Sequence, residues 1–127
     1  MINNNFEKKL KSKEFVFTAE TSPPDSTVRS EITDRVLCLK DLADAINVTD
    51  GASAKSHLSS LVVSSIIKDI EIEPILQLTT RDRNRIAIQS DLLGAWTLNI
   101  QNILCIYGDQ VETGCLLYTS DAADDWS

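Results

Sequence analysis

A short, apolar, β-prone run recurs about every thirty residues, and that interval constrains the fold more than any other feature of the chain. The runs are Glu14 to Ala19 (EFVFTA), stopped by Pro23-Pro24, and Ala45 to Val48 (AINV), ending at Thr49-Asp50-Gly51. They continue with Pro74 to Leu78 (PILQL), ending at Thr79-Thr80-Arg81-Asp82, and Asn102 to Tyr107 (NILCIY), ending at Gly108-Asp109. Marked at Phe15, Ala45, Ile75 and Ile103, the runs lie 30, 30 and 28 residues apart, the length of one βα unit. The intervening segments carry helical periodicity. Val28, Ile32, Val36 and Leu39 form one stripe, with Asp25 or Ser26 placed to cap it. Leu58, Leu61, Val62, Ser65 and Ile66 form a second, and Ile86, Ser90, Leu93 and Thr97 a third, with Asp82 or Asn84 as its cap. Gly94 falls inside the third helix and costs it about 1 kcal/mol against Ala.

Nearly all-apolar strands alternating with amphipathic helices predict an α/β fold, a parallel sheet covered by helices. A doubly wound open sheet closes in five or six strands, whereas a (β/α)8 barrel needs eight units and roughly 250 residues. At 127 residues the chain supplies about four units, so it reads as an undersized open sheet or as half a barrel. A net charge of -7 argues against nucleic acid, whose phosphates require a basic face, and against an anionic membrane surface. No apolar run approaches the ~20 residues that span a bilayer, and Met1 to Lys13 lacks the apolar core of a signal peptide. Cys38, Cys105 and Cys115 are odd in number and show no C-x-x-C spacing. Zinc and a disulfide framework are therefore not expected, and the reducing cytoplasm is the default.

Both architectures place chemistry at the C-terminal ends of the strands. Those ends carry Glu20, Asp50, Gln77 and Asp109. Asp50 and Asp82 read first as turn and cap residues. Glu20 follows an apolar strand, precedes two prolines and is no turn former, so it reads as a functional carboxylate. The basic stretch Arg81-Asp82-Arg83-Asn84-Arg85 has two readings of equal weight. One is an anion site at a helix N-terminus, the other solvated charges with i,i+4 partners such as Arg85 and Gln89. His57, the single histidine, reads as a surface residue. Trp96 and the phenylalanines read as core, and Cys38 and Cys105 as small buried hydrophobes. A response-regulator receiver domain does not fit, because Glu20 stands without an acidic neighbour and no strand ends in Lys.

Taken together, T-A-E-T-S-P-P (18–24), I-N-V-T-D-G-A (46–52), E-P-I-L-Q-L-T-T-R-D-R-N-R-I-A-I-Q-S-D-L-L-G-A (73–95) and N-I-L-C-I-Y-G-D (102–109) resemble the methylenetetrahydrofolate reductase family. The resemblance runs from about Phe15 to Asp109. It implies the N-terminal half of a (β/α)8 TIM barrel, FAD as cofactor, and reduction of methylenetetrahydrofolate to methyltetrahydrofolate in one-carbon and methionine metabolism. By the same resemblance Glu20 is the general acid that opens the folate imidazolidine ring to an iminium. That role requires a carboxyl still protonated near neutrality, which the apolar neighbours Phe17, Ala19 and Pro23 would favour by desolvation. Asp109 matches an aspartate beside flavin and pterin whose charge stabilises the iminium. Thr49 matches a flavin-contacting threonine, Ile106, Tyr107 and Gly108 match backbone lining the cofactor, and Gln77 stands where some members contact flavin through His. Thr21-Ser22 replaces a Phe-Phe pair after the acid, and Tyr107 stands where some members carry Arg.

The implied partners are a folate substrate and an electron donor, either NAD(P)H or a partner subunit, with homo-oligomerisation left open. The expected organisation is an extension at 1–13, a partial barrel domain at 14–114 and a tail at 115–127. The tail's C-L-L-Y-T-S-D-A-A-D string resembles translated sequencing adapter and is expected to be a scar. A chain cut there is expected to be inactive alone. The alternatives are a non-catalytic half-barrel that serves as an interaction module and a pterin-binding barrel without flavin.

Overall fold

The computed structural model describes residues 4–111; the 115–127 tail with Cys115 lies outside the described residues. The elements alternate as the thirty-residue interval requires: α1 (Asn5–Lys11), β1 (Thr18–Thr21), α2 (Arg29–Val36), β2 (Ala45–Val48), α3 (Ser60–Asp69), β3 (Pro74–Thr79), α4 (Arg85–Thr97) and β4 (Asn102–Ile106). The four strands form one sheet in the order β1-β2-β3-β4, and every neighbouring pair is parallel. A doubly wound sheet reverses its strand order at a switch point; among the described residues this sheet does not.

Strand residues alternate between two faces. Ala19, Ile46 and Val48 pack against Ile32 and Val36 of α2 and Val63, Ile66 and Ile67 of α3. Leu76, in register with Val48, packs with Ala95 of α4 and with Ile100. All three helices therefore cover the same face of the sheet. The opposite face carries Glu20, Asn47 and Gln77. Helix α1, formed by the segment read as an extension, sits at the N-terminal ends of the strands. Asn4 caps it by accepting from the Glu7 N–H (3.1 Å) and exchanges side-chain hydrogen bonds with Asn102, which also donates to Glu73 (2.9 Å). Lys9 pairs with Asp44.

Several expectations need correction. The first strand is Thr18–Thr21 rather than 14–19. Pairing begins where Thr18 meets Ala45, while the Phe17 N–H is diverted to the Asp44 carboxylate (2.9 Å). Phe15 and Phe17 meet edge to face, with centroids 5.0 Å apart, and both are exposed. Ile32 and Val36 are buried as the stripe predicted, but Val28 is exposed and is itself the N-cap, without a side-chain cap. Ser26 accepts from the Val28 N–H instead of capping the helix.

Helix α3 buries Ser60, Val63, Ser64, Ile66 and Ile67 and exposes Val62. Its two serines allow a close approach to the sheet, where the Ser60 hydroxyl donates to the Gln77 carbonyl (3.1 Å). Helix α4 inverts its predicted face. Ile86, Leu93 and Trp96 are exposed while Ala95 is buried, and a Cβ on Gly94 would lie 3.6 Å from Leu61. Small residues, not bulky ones, make its inward contact. Cys38 and Cys105 are exposed free thiols rather than buried hydrophobes. Cys38 lies in the short turn after α2 and Cys105 on the edge strand β4.

Candidate functional site

Register fixes which side chains share the helix-free face. Glu20 of β1 sits beside Asn47 of β2, Asn47 beside Ile75 of β3, and Gln77 beside Leu104 of β4. Glu20 is exposed and has no hydrogen bond or ion pair among the described residues. Of the three apolar neighbours expected to enclose it, Phe17 is exposed and Ala19 belongs to the helix-side cluster, while Pro23 is buried. Two polar atoms on β2 are buried without a partner, Asn47 Oδ1 and Thr49 Oγ1. A buried acceptor left unmatched is costly, so these atoms mark positions that await a donor.

Next to them the chain builds a satisfied network around Asp50. The Asp50 carboxylate accepts from the Thr79 N–H (2.9 Å), the Thr79 hydroxyl (2.8 Å) and Arg83 Nη1 (2.6 Å). Its own N–H donates to Gln77 Oε1 (2.9 Å). Arg83 also donates through Nε to Asp91 of α4 (2.9 Å). Burial opposes the charge on Asp50, but the Thr79 N–H, the Arg83 guanidinium and the Thr79 hydroxyl outweigh it and hold the carboxyl below its ordinary value. Burial likewise opposes the Arg83 charge, and Asp50 and Asp91 reverse the effect, raising it above the ordinary arginine value. Asp50 is thus a buried anion tying the end of β2 to the end of β3. It is neither the turn residue nor the helix cap that its sequence position suggests.

Arg81 ties the same loops to β4. Its N–H donates to the Tyr107 carbonyl (3.0 Å), its Nη1 to the Asp109 carbonyl (2.6 Å), and its Nε and Nη2 to Asp82. Two glycines leave room for the guanidinium. Gly51 has φ +65°, and a Cβ there would stand 2.6 Å from Arg81 Nη2; Gly108 has φ +103°, and a Cβ there would stand 3.3 Å from Arg81 Cβ. The Asp109 carboxylate accepts from the Ser53 N–H (2.8 Å). Neither reading of the basic stretch holds for Arg81 and Arg83, because the protein's own acids and carbonyls already engage both. His57 is half-buried rather than a surface residue. The Gly51 N–H can only donate, so it meets an unprotonated Nε2, and the proton on Nδ1 is given to the Leu58 carbonyl (2.7 Å).

The loops after β2 and β3 line an open cleft of about 450 Å3, bordered by Gly51, Lys55, His57, Ser59, Arg81 and Val111 among others. Among the described residues no three His, Cys, Asp or Glu side chains gather as a metal site. Of the site residues expected from sequence, Thr49, Gln77, Ile106, Gly108 and Asp109 gather at the C-terminal ends of β2, β3 and β4, and the Tyr107 side chain extends outward, largely exposed. Glu20 stands at the far edge. Three strand spacings separate it from β4, roughly 14 Å along the sheet. Sequence reasoning missed Arg81 and Arg83 as internal donors and passed over Asn47 entirely. The signal for the arginines was present: with a one-residue spacing directly after a strand, both can turn toward the loop of the neighbouring strand. The family model described as methylenetetrahydrofolate reductase matches residues 5–123, nearly the whole chain. No curated protein matches it.

Proposed function

The chain belongs to the methylenetetrahydrofolate reductase family, and from that premise we propose that it carries the folate-reducing centre of a flavin-dependent oxidoreductase. The reaction is reduction of 5,10-methylenetetrahydrofolate to 5-methyltetrahydrofolate. One observation carries the reading: two carboxylates, Glu20 and Asp109, issue near the same end of one parallel sheet and flank a face with orphaned polar atoms. The sequential strand order and the one-sided helices support reading the sheet as the first four strands of a (β/α)8 barrel. Among the described residues β1 and β4 are its open edges. Turnover is therefore assigned to a completed barrel, not to residues 4–111 by themselves.

The residues at the strand ends fit FAD. The Thr49 hydroxyl is buried and lacks a partner, which leaves a polar position for the cofactor at the end of β2. Thr49, Ile106, Tyr107, Gly108 and Asp109 would hold it, with Gln77 alongside. When bound, it supplies the hydride that the reduction needs. Glu20 delivers a proton to the folate ring nitrogen; the C–N bond breaks and a cationic iminium remains on the substrate. Asp109, oriented by the Ser53 N–H, places a fixed negative charge where that cation develops. The electron donor is NAD(P)H or a partner subunit. The free, exposed Cys38 and Cys105 support a cytoplasmic setting.

The test is anaerobic mixing of the purified, photoreduced protein with methylenetetrahydrofolate. Return of the oxidised flavin spectrum together with methyltetrahydrofolate supports the assignment. A folded protein that binds no flavin, or binds it without folate-driven reoxidation, counts against it.

A further inference from the structure

We infer that Asn47 is the positioning residue of the acid: its side-chain carbonyl accepts the proton of Glu20 and so holds that carboxyl ready to donate. The inference rests on the acid role assigned to Glu20 and adds a residue that role does not name. Three observations carry it. Glu20 and Asn47 are register partners on adjacent parallel strands, so their side chains leave the same face at neighbouring positions, roughly 5 Å apart at the backbone. Asn47 Oδ1 is buried and has no donor. The Glu20 carboxylate has no partner among the described residues either.

Of the two groups only Asn47 Oδ1 is buried and unmatched; the exposed Glu20 carboxylate is open to solvent. An ionised carboxylate and an amide oxygen are both acceptors and cannot bond. Once protonated, Glu20 becomes the donor that Asn47 Oδ1 lacks. A hydrogen bond available only to the protonated acid favours that form, which is what an acid working near neutrality requires. Phe17, expected to help enclose Glu20, is exposed, and register places the Asn47 amide beside the acid.

The facing strand brings no charge to the pair. Strand β2 is the element packed against β1, and on this face it presents Ala45, Asn47 and Thr49, none of them titratable. Arg35 of α2 is engaged with the Ser22 carbonyl, and Asp50, after β2, with Thr79 and Arg83.

The experiment uses the full chain and two substitutions of similar volume. Asn47→Leu removes the acceptor, and Asn47→Asp replaces it with a carboxyl that cannot share a site with an ionised Glu20. Infrared titration of 13C-glutamate-labelled protein, with the Glu20 band identified by its loss in Glu20→Gln, reads the acid directly and needs no turnover. In Asn47→Leu the protonated band should vanish about one pH unit lower than in the wild type, a tenfold change in the ratio of forms. In Asn47→Asp it should persist to higher pH. The alkaline limb of folate-driven flavin reoxidation should move in the same two directions, while flavin reduction by the donor stays unchanged.

An unmoved Glu20 band in both variants overturns the inference. So does an upward shift in Asn47→Leu, which would show the amide NH2 turned toward the carboxylate. A Glu20 band that moves as expected in protein whose reoxidation does not depend on Glu20 would uphold the contact between the two side chains and refute the acid role instead.

Discussion

Arg83 reaches from the start of α4 across the end of β3 and donates to the Asp50 carboxylate at 2.6 Å. Both side chains are largely buried, so the contact joins two strand ends through paired charge rather than apolar packing. Removing one partner of such a pair leaves the other charge uncompensated. Arg83→Met should lower stability by about 2–4 kcal/mol, somewhat less than for a fully enclosed pair because Arg83 keeps partial solvent access. Asp50→Asn should cost less, since the amide still accepts from Thr79 and Arg83 retains Asp91. Urea unfolding of the two variants checks the order; equal or reversed losses would contradict it.

The same pair sets an acid limit. The folded-state value of Asp50 is depressed, so its contribution is present above the unfolded carboxyl value near ~3.9. It is lost as the pH falls through the lower folded value. Urea midpoints followed from neutral pH into the acid range should decline more steeply below pH ~4 in the wild type than in Asp50→Asn. Parallel declines would show that Asp50 gains nothing from its partners.

Gly51 and Gly108 should not tolerate Ala equally. At Gly51 the added Cβ meets the far end of the Arg81 side chain, which can shift only by loosening its bonds to Asp82 and Asp109, so the cost is that of a left-handed residue, about 1 kcal/mol, plus about 1 kcal/mol for a weakened hydrogen bond. At Gly108 φ is +103°, and the neighbours are Arg81 Cβ and Thr79 Cβ, atoms fixed close to the backbone. Gly108→Ala should cost about 2–3 kcal/mol and also weaken flavin retention, read by thermal unfolding and by gel filtration of the coloured protein. A Gly51 variant as damaged as the Gly108 variant would refute the distinction.

Asp109→Asn keeps an acceptor for the Ser53 N–H but removes the charge. Folate-driven reoxidation should slow by ~10²-fold, the scale of losing one electrostatic stabiliser, with the flavin still bound. An unchanged rate would remove Asp109 from the chemistry.

What could be read from sequence divides along physical lines. β2 lies where the sequence placed it, at 45–48, and β3 and β4 each differ by one residue at the C-terminal end, because buried parallel strands are nearly continuous apolar runs bounded by turn residues. β1 slipped because Phe15 and Phe17 look like strand residues, yet Asp44 captures the Phe17 amide and pairing starts only at Thr18. The covered face of α4 was misread and that of α3 only partly read: Leu58, Leu61 and Ile66 do pack into the core, but Ser60, Ser64 and Ala95 also make inward contacts, and hydrophobic periodicity gives such small residues no weight. At the site, Glu20 stood out by chemical type. The burial of Asp50 did not, since it depends on Thr79 and Arg83, roughly thirty residues away, and no local pattern encodes that contact. Asn47 became visible only through register and an unmatched oxygen.

Glu20→Gln, studied by separate half-reactions in the flavin-loaded protein, tests the central assignment most directly. The amide keeps the size and polarity of the side chain and cannot deliver the proton. Reduction of the flavin by its donor should proceed at the wild-type rate while reoxidation by methylenetetrahydrofolate is abolished. Equal loss of both half-reactions, or reoxidation at the wild-type rate, would contradict Glu20 as the acid of a folate reductase.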